Sequence, residues 1–226
     1  MSAIFVKIRI FIRKDTNMEL YKMQVTEFCR ELSKDIPVPG GGSVAALNGA
    51  LGVSLFAMVA NMTVRKQSKK GIETDAAIMK IAEIGEKEAD RFNELIEEDS
   101  NAFNVVMDAM KNPKNTEEEK AFRKQKIQEA YKGATVPPAE VAKKAYSLLC
   151  EYAAVMFEKG DKFALSDVCV GIRCLNTAFW SAVYNVKINL SAIEDEAFVE
   201  KALSEIKEAE EKVDSLCESI IGKVSF

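Results

Sequence analysis

The sequence predicts an all-α fold, a bundle of long antiparallel helices around one central apolar helix. Apolar residues recur at helical spacing through most of the chain, and helix caps, prolines and glycines separate the segments. Residues 44–62 are apolar on every face, which is typical of a helix at the centre of a bundle. The run is long enough to span a membrane. It is rich in Ala, Gly and Ser, however, so we expect a soluble bundle without a membrane partner.

The composition is that of one globular domain. The chain has 226 residues, of which 48% are hydrophobic and 29% are charged. A net charge of −4 with both signs interspersed argues against a nucleic-acid partner. The five scattered cysteines form neither a zinc-binding pair nor a disulfide framework, which favours reduced packing residues in a cytoplasmic protein.

The chain contains no histidine. This excludes the His-based catalytic triads, the Glu-x-x-His di-iron bundles and the H-E-x-x-H metalloproteases. If the protein is an enzyme, its acid and base must be carboxylates, Lys, Tyr, Cys or the substrate itself.

The N-terminal residues do not fit the helical pattern. Residues 1–17 alternate apolar residues with Lys and Arg, which would suit a strand. The rest of the sequence predicts no strand that could pair with it. Met18 offers a second start. We therefore expect residues 1–17 to be a dispensable extension and residues 18–226 to form a single helical domain, beginning with a short helix that Thr26 caps.

The organising stretch is PVPGGGSVAA at residues 37–46. The two prolines predict a short rigid arm, and Ser43 is the expected N-cap of the central helix. A helix N-terminus preceded by residues without Cβ exposes unpaired N–H groups, which suit an anion or a polarised oxygen. The alternative is that the glycines only allow a tight turn and close packing. Basic residues at 65–70 either cap this helix or meet an anionic ligand tail.

A long helix is predicted from Thr74 or Asp75 to about Met110. Asp99 lies on its apolar stripe, so its carboxylate should point at the core or at a cavity in it. A carboxylate there is costly unless it is paired, which favours a functional role over a structural ion pair.

The second half of the chain predicts four more helices. Thr116 and Glu119 form a capping box for a polar helix that ends at Gly133. The Thr-Val-Pro-Pro run at 135–138 is interpreted as a rigid entry to a separate helix over 139–159.

Ser166 and Asp167 open the last buried helix, which reaches Leu190, and both fit simple N-capping. Residues 198–220 trace an amphipathic helix that should pack outside the bundle or against another subunit.

The string PVPGGGSVAALNGALG at 37–52 closely resembles the PAPGGGSVAA signature of the cyclodeaminase/cyclohydrolase family of folate enzymes. Further similarities follow in the family's order: VANMT at 59–63, DSNAF at 99–103, ATVP at 134–137, LSDV at 165–168 and NVKINL at 185–190. Together they cover about residues 25–190. Three positions depart from the pattern: Val38 replaces Ala, Cys169 replaces a small residue, and Lys187 replaces Arg.

The resemblance implies an all-helical homodimer that converts 5-formiminotetrahydrofolate to 5,10-methenyltetrahydrofolate and ammonia, as in histidine degradation, with no metal or redox cofactor. Some family members instead interconvert methenyl- and 10-formyltetrahydrofolate. The substrate could be polyglutamylated, and a separate formiminotransferase could supply it. The competing class is a non-enzymatic helical interaction protein.

The resemblance also implies roles for individual residues. Asp99 is the first candidate for the acid that protonates the departing nitrogen, and Asp167 is the second, or else it binds the pterin's donors. The expected substrate-binding residues are Gly40, Gly41, Gly42 and Ser43 through backbone N–H groups, Asn61 and Asn185 through their amides, and Lys187 or the 65–70 cluster for the glutamate tail.

Overall fold

The computed structural model describes residues 19–224, and within that range it is helical without any strand, so the all-α prediction is confirmed. The α-helices are α1 (Val25–Leu32), α2 (Gly41–Lys69), α3 (Ala76–Met110), α4 (Glu117–Leu148), α5 (Ala154–Lys159), α6 (Leu165–Leu190) and α7 (Glu196–Ile221). Short 3₁₀ turns span Leu20–Lys22 and Lys162–Ala164, and a π-helical turn spans Leu149–Ala153. The extension predicted at residues 1–17 lies outside the described residues.

Helix α2 is the core of the bundle and packs along its length against α3 and α6. Glycines permit the close approach. A Cβ at Gly49 would lie 2.4 Å from the Phe92 ring, and one at Gly52 would lie 2.7 Å from the Leu175 side chain. Although α2 is long and apolar enough to cross a membrane, more than half of its apolar window is buried by other helices, which is typical of a core helix.

The core side chains come from α2 and from the helices that flank it. Phe56, Phe92 and Phe179, on α2, α3 and α6, are the largest fully buried side chains. The cysteines contribute less to packing than expected: Cys217 is buried, but Cys29 and Cys150 are exposed, and all five are free thiols.

Two helix starts agree with the sequence. The Asp75 side chain accepts a hydrogen bond from the Ala77 N–H at 2.9 Å and begins α3, which ends at Met110. The capping box of Thr116 and Glu119 is present at the start of α4. Both motifs are local, because the groups that cap each helix lie within three residues of one another.

The predicted break at Gly133 is wrong, because α4 continues through Pro137 and Pro138 to Leu148. Proline has no N–H, so the carbonyl four residues earlier loses its helical donor. At Ala134 the Asn189 side chain of α6 replaces that donor, with Nδ2 at 2.8 Å from the carbonyl oxygen in a buried contact. A contact between two helices therefore replaces one of the two helical hydrogen bonds that the prolines remove.

Three predicted caps are also wrong. Helix α2 begins at Gly41 with Gly40 as its N-cap residue, so Ser43 lies inside the first turn. Helix α6 begins at Leu165, and its N-cap residue makes no side-chain cap, so Ser166 and Asp167 lie inside its first turn.

The third wrong cap is that of α1, which begins at Val25, so Thr26 is its second residue. In all three helices the expected N-cap side chain lies two or three residues after the observed N-cap residue, inside the first turn.

Candidate active site

A cavity of about 170 Å³ lies where the N-terminus of α2 meets α3, α4 and α6. It is lined by Pro37, Val38, Gly40, Gly41, Asp99, Phe103, Ala134, Asn185, Ile188 and Asn189. Four of the predicted site residues, Gly40, Gly41, Asp99 and Asn185, are thus brought together from three separate parts of the sequence.

Asp99 is half-buried against the first turn of α2. The Ser43 hydroxyl donates to Asp99 Oδ2 at 3.0 Å, and Ser43 Oγ also lies 3.0 Å from Ser100 Oγ. Among residues 19–224, no Lys or Arg forms an ion pair with this carboxylate. Ser43 therefore supports Asp99 with its side chain instead of capping α2.

Burial raises the pKa of Asp99 above its usual range. The hydrogen bonds from the Ser43 side chain and backbone lower the pKa of Asp99, but they do not outweigh the effect of burial. The neutral carboxylic acid is consequently favoured more than at an exposed aspartate. A carboxyl group in this condition can donate a proton at a pH where an exposed one cannot.

Gly42 is the residue that lets Asp99 approach α2. A Cβ at this position would lie 2.0 Å from Asp99 Oδ1, well inside contact distance. At Gly41 a Cβ would lie 3.1 Å from Asn185 Nδ2, and at Gly40 it would lie 3.1 Å from the Pro37 carbonyl oxygen. None of these glycines has a positive φ. The glycines therefore provide close approach of the backbone to the site, not a left-handed turn.

Asn185 and Asn189 provide the amide groups of the cavity. The Asn185 Nδ2 donates to the Ser181 carbonyl at 2.8 Å, while its Oδ1 accepts no hydrogen bond from the part of the chain that the structure describes. Asn189 was not predicted as a site residue, although it lies in the same NVKINL motif. Its Nδ2 is held by the Ala134 carbonyl. Asn189 Oδ1 likewise accepts no hydrogen bond within residues 19–224, so both amide oxygens are available to a ligand.

A groove of about 700 Å³ runs between α3 and α4. Its lining residues include Ala102 and Gly133, the immediate neighbours of Phe103 and Ala134 in the cavity wall. The cavity alone is smaller than the roughly 300–1,000 Å³ of most small-molecule pockets. Cavity and groove together offer room for an elongated ligand.

Asn61 and Asp167, which we predicted to join this site, lie at the opposite end of the bundle. Asn61 follows Gly41 by twenty residues of α2, which at 1.5 Å per residue is about 30 Å. Asp167 precedes Asn185 by eighteen residues of α6, or about 27 Å. Within one chain neither side chain can reach the Asp99 cavity.

None of the predicted cations lines the cavity. Lys187 is exposed and forms an ion pair with Glu210 of α7. In the 65–70 cluster Lys66 pairs with Asp161 at 2.7 Å, whereas Arg65, Lys69 and Lys70 form no ion pair within residues 19–224. Each cation of this cluster is at the Asn61 end of α2.

Within the described part of the chain, no group of three or more Cys, Asp or Glu side chains is placed to hold a metal ion. The chemical groups of the site are one carboxyl, one hydroxyl, two amide oxygens and the first backbone N–H groups of α2.

Several known proteins are similar to this chain in sequence and in fold. The family model of formiminotransferase-cyclodeaminase matches residues 24–208. A methenyltetrahydrofolate cyclohydrolase of Methylorubrum extorquens is 37% identical over 183 residues, which are 81% of this chain and 86% of that protein. The formimidoyltransferase-cyclodeaminase of Rattus norvegicus is 30% identical over 87% of this chain, but the match spans only 36% of that longer protein.

A solved structure agrees with both sequence comparisons. The crystal structure of formiminotetrahydrofolate cyclodeaminase from Thermotoga maritima matches with a TM-score of 0.76 and 30% identity, covering 89% of this chain and 96% of that one. The relatives described above are enzymes that act on one-carbon folates. Because the family model covers most of the chain and the fold agrees, the chain belongs to the formiminotransferase-cyclodeaminase family.

Proposed function

We propose that this protein is a formiminotetrahydrofolate cyclodeaminase, which converts 5-formiminotetrahydrofolate to 5,10-methenyltetrahydrofolate and ammonia. The proposal rests on the environment of Asp99 in the cavity. Its carboxyl group is half-buried, it has no cationic partner within residues 19–224, and burial raises its pKa. Loss of ammonia needs a proton donor at the departing nitrogen, and a neutral carboxylic acid suits that task.

The proposed reaction uses groups of the substrate and one protein acid. N10 attacks the formimino carbon carried on N5, a C–N bond forms, and the N10 proton passes to the former imino nitrogen. Asp99 then donates its proton to that nitrogen, and ammonia leaves with the electron pair of the broken C–N bond. The methenyl cation that remains is stabilised by the adjacent Asp99 carboxylate.

Positioning supplies much of the remaining acceleration, since the reaction is intramolecular once N5 and N10 are held close. We place the reacting end of the folate in the Asp99 cavity, with the backbone N–H groups of Gly41 and Gly42 and the Asn185 amide oxygen as its partners. The rest of the ligand extends along the groove between α3 and α4. The reaction balances without a metal or redox cofactor, and a separate formiminotransferase would supply the substrate.

A second candidate is methenyltetrahydrofolate cyclohydrolase, which the 37% identity to the Methylorubrum protein favours. Asp99 would then act as a carboxylate base that takes a proton from the water attacking the methenyl carbon. Both reactions pass through a tetrahedral carbon that bridges N5 and N10, so they need similar binding groups.

The test is to offer the purified protein each substrate separately and to follow methenyl absorbance together with ammonia. We expect the formimino compound to yield methenyl product and ammonia in equal amounts. Hydrolysis of the methenyl compound without ammonia from the formimino compound would assign the cyclohydrolase instead. If neither compound reacts and no tetrahydrofolate derivative raises the melting temperature, the protein is the non-enzymatic interaction protein.

A further inference from the structure

The two prolines of α4 lie one turn after Ala134, a residue that lines the Asp99 cavity. Because proline has no N–H, Pro138 cannot donate to the Ala134 carbonyl, and Pro137 cannot donate to the Gly133 carbonyl. Ala134 is only 4% exposed. A buried carbonyl without a donor is costly, so the Ala134 carbonyl needs a partner from elsewhere in the fold.

Asn189 of α6 is that partner. Its Nδ2 lies 2.8 Å from the Ala134 carbonyl oxygen, in a buried contact. A carbonyl oxygen only accepts hydrogen bonds, so the amide presents its NH₂ group to Ala134 and its Oδ1 faces the other way. Turning the amide over would set two oxygens against each other and leave the Ala134 carbonyl without a donor. The orientation of the Asn189 amide is therefore fixed.

The fixed Asn189 oxygen is accessible from the cavity. Asn189 is only 8% exposed, yet it lines the cavity wall. Among residues 19–224, the only fully buried side-chain nitrogen or oxygen atom without a hydrogen-bond partner is Gln67 Oε1. Asn189 Oδ1 also accepts no hydrogen bond within that range, so it is not fully buried, and the space that it reaches is the cavity.

Asn185 shows what the proline adds. Its Nδ2 donates to the Ser181 carbonyl, four residues earlier on the same helix. Since α6 is continuous there, that carbonyl also receives the backbone N–H of residue 185. Turning the Asn185 amide over would leave no carbonyl without a donor. Asn189, in contrast, is tied to a carbonyl whose helical donor is missing.

The acceptor matches a difference between substrate and product. This inference rests on the proposed function, which places the reacting end of the folate in the cavity. In the formimino compound, N10 and the formimino nitrogen each carry an N–H. In the methenyl product both N5 and N10 are bonded to the bridging carbon and ammonia has left, so neither N–H remains. A site built to hydrogen-bond an N–H discriminates against a compound that lacks it.

We propose that Pro138 is a positioning residue of the site and that Asn189 is a specificity-determining one. Pro138 withholds the helical donor from Ala134, and the freed carbonyl fixes the Asn189 amide. The Asn189 oxygen then accepts the N–H of N10 or of the formimino nitrogen. This role accounts for a proline in the interior of a 32-residue helix, where proline costs stability.

The first test is Pro138→Ala, with Pro137→Ala as the matched control. Alanine restores the N–H at 138, so the Ala134 carbonyl regains its helical donor and the Asn189 amide is free to turn. The KM for 5-formiminotetrahydrofolate should rise about 3–10-fold, the loss of one neutral hydrogen bond. The inhibition constant of the methenyl compound should not change.

Pro137→Ala restores a donor to the Gly133 carbonyl, which Asn189 does not contact, so it should leave both constants unchanged. An equal rise in KM in the two variants would overturn the proposal, because a general effect of the α4 prolines would then explain it. So would equal weakening of both compounds in Pro138→Ala, since the lost contact would then not be to an N–H of the reacting end.

A second measurement needs no activity. Asn189→Ala leaves the Ala134 carbonyl without a donor and should lower the melting temperature. Adding Pro138→Ala supplies the helical donor, so it should raise the melting temperature more in the Asn189→Ala background than in the wild type. Additive changes would contradict the proposal, because the two residues would then not act through one carbonyl. A wild type that converts neither folate would contradict the proposed function and the N–H assignment with it, whereas the melting temperatures test the fixing of Asn189 on their own.

Discussion

Replacing Asp99 with asparagine is expected to lower the rate of ammonia release by at least about 100-fold, since general acid catalysis typically contributes 10²–10⁴-fold. Asparagine has nearly the same shape, and its amide oxygen can still accept the hydrogen bond from Ser43. The comparison is made on kcat with saturating 5-formiminotetrahydrofolate. An Asp99→Asn enzyme with full turnover would remove Asp99 from the mechanism.

The same substitution should stabilise the fold at neutral pH. Because the folded pKa of Asp99 is raised, the folded chain holds this proton more tightly than the unfolded chain does. That stabilising contribution is complete at low pH and is lost as the pH rises through the folded pKa. Asparagine cannot ionise, so above that pH Asp99→Asn should melt at a higher temperature than the wild type. If Asp99→Asn loses activity while its melting temperature rises, unfolding cannot be the reason for the lost activity.

Replacing Gly42 with alanine is expected to cause the second large loss. The new Cβ would lie 2.0 Å from Asp99 Oδ1 and 2.5 Å from its Cγ, so the carboxyl group must move by more than 1 Å. Misplacement on that scale can cost about 100-fold in rate. Overpacking a tight contact should also lower the free energy of unfolding by about 1–3 kcal/mol.

Gly85→Ala is the control that separates the two effects of Gly42→Ala. Its Cβ would lie 2.5 Å from the Ala57 Cβ, so it overpacks the same α2 and α3 contact. Ala57 lies fifteen residues beyond Gly42, which is about 22 Å along α2 from the residue that contacts Asp99. Gly85→Ala should therefore lose stability and keep its kcat. Equal kcat losses in the two variants would mean that helix packing, not the position of Asp99, controls the rate.

Features that depend on residues near one another in the chain could be predicted from the sequence. The helical periodicity revealed the bundle, and the caps at Asp75 and Thr116 located two helix starts. Asp99 was expected to point at the core or a cavity because of its place on the apolar stripe, and it does line a cavity.

Features that depend on contacts between helices could not be predicted in this way. The hydrogen bond that replaces the donor missing at Pro138 comes from Asn189, fifty-five residues from the Ala134 carbonyl that accepts it. The role of Gly42 rests on Asp99, which reaches it only because α2 and α3 lie side by side. The family resemblance led us to predict Asn61 and Asp99 in one site. The order of motifs along a sequence does not show which helix ends lie together in the fold.

The most direct test of the central claim, that Asp99 is the acid that releases ammonia, is the pH dependence of kcat/KM for 5-formiminotetrahydrofolate. This profile reports ionisation of the free enzyme. We predict that kcat/KM falls as the pH rises through the raised pKa of Asp99, and that the fall is missing from the residual activity of Asp99→Asn. A profile that instead rises with pH over that range would contradict the account, because the active form of Asp99 would then be the carboxylate.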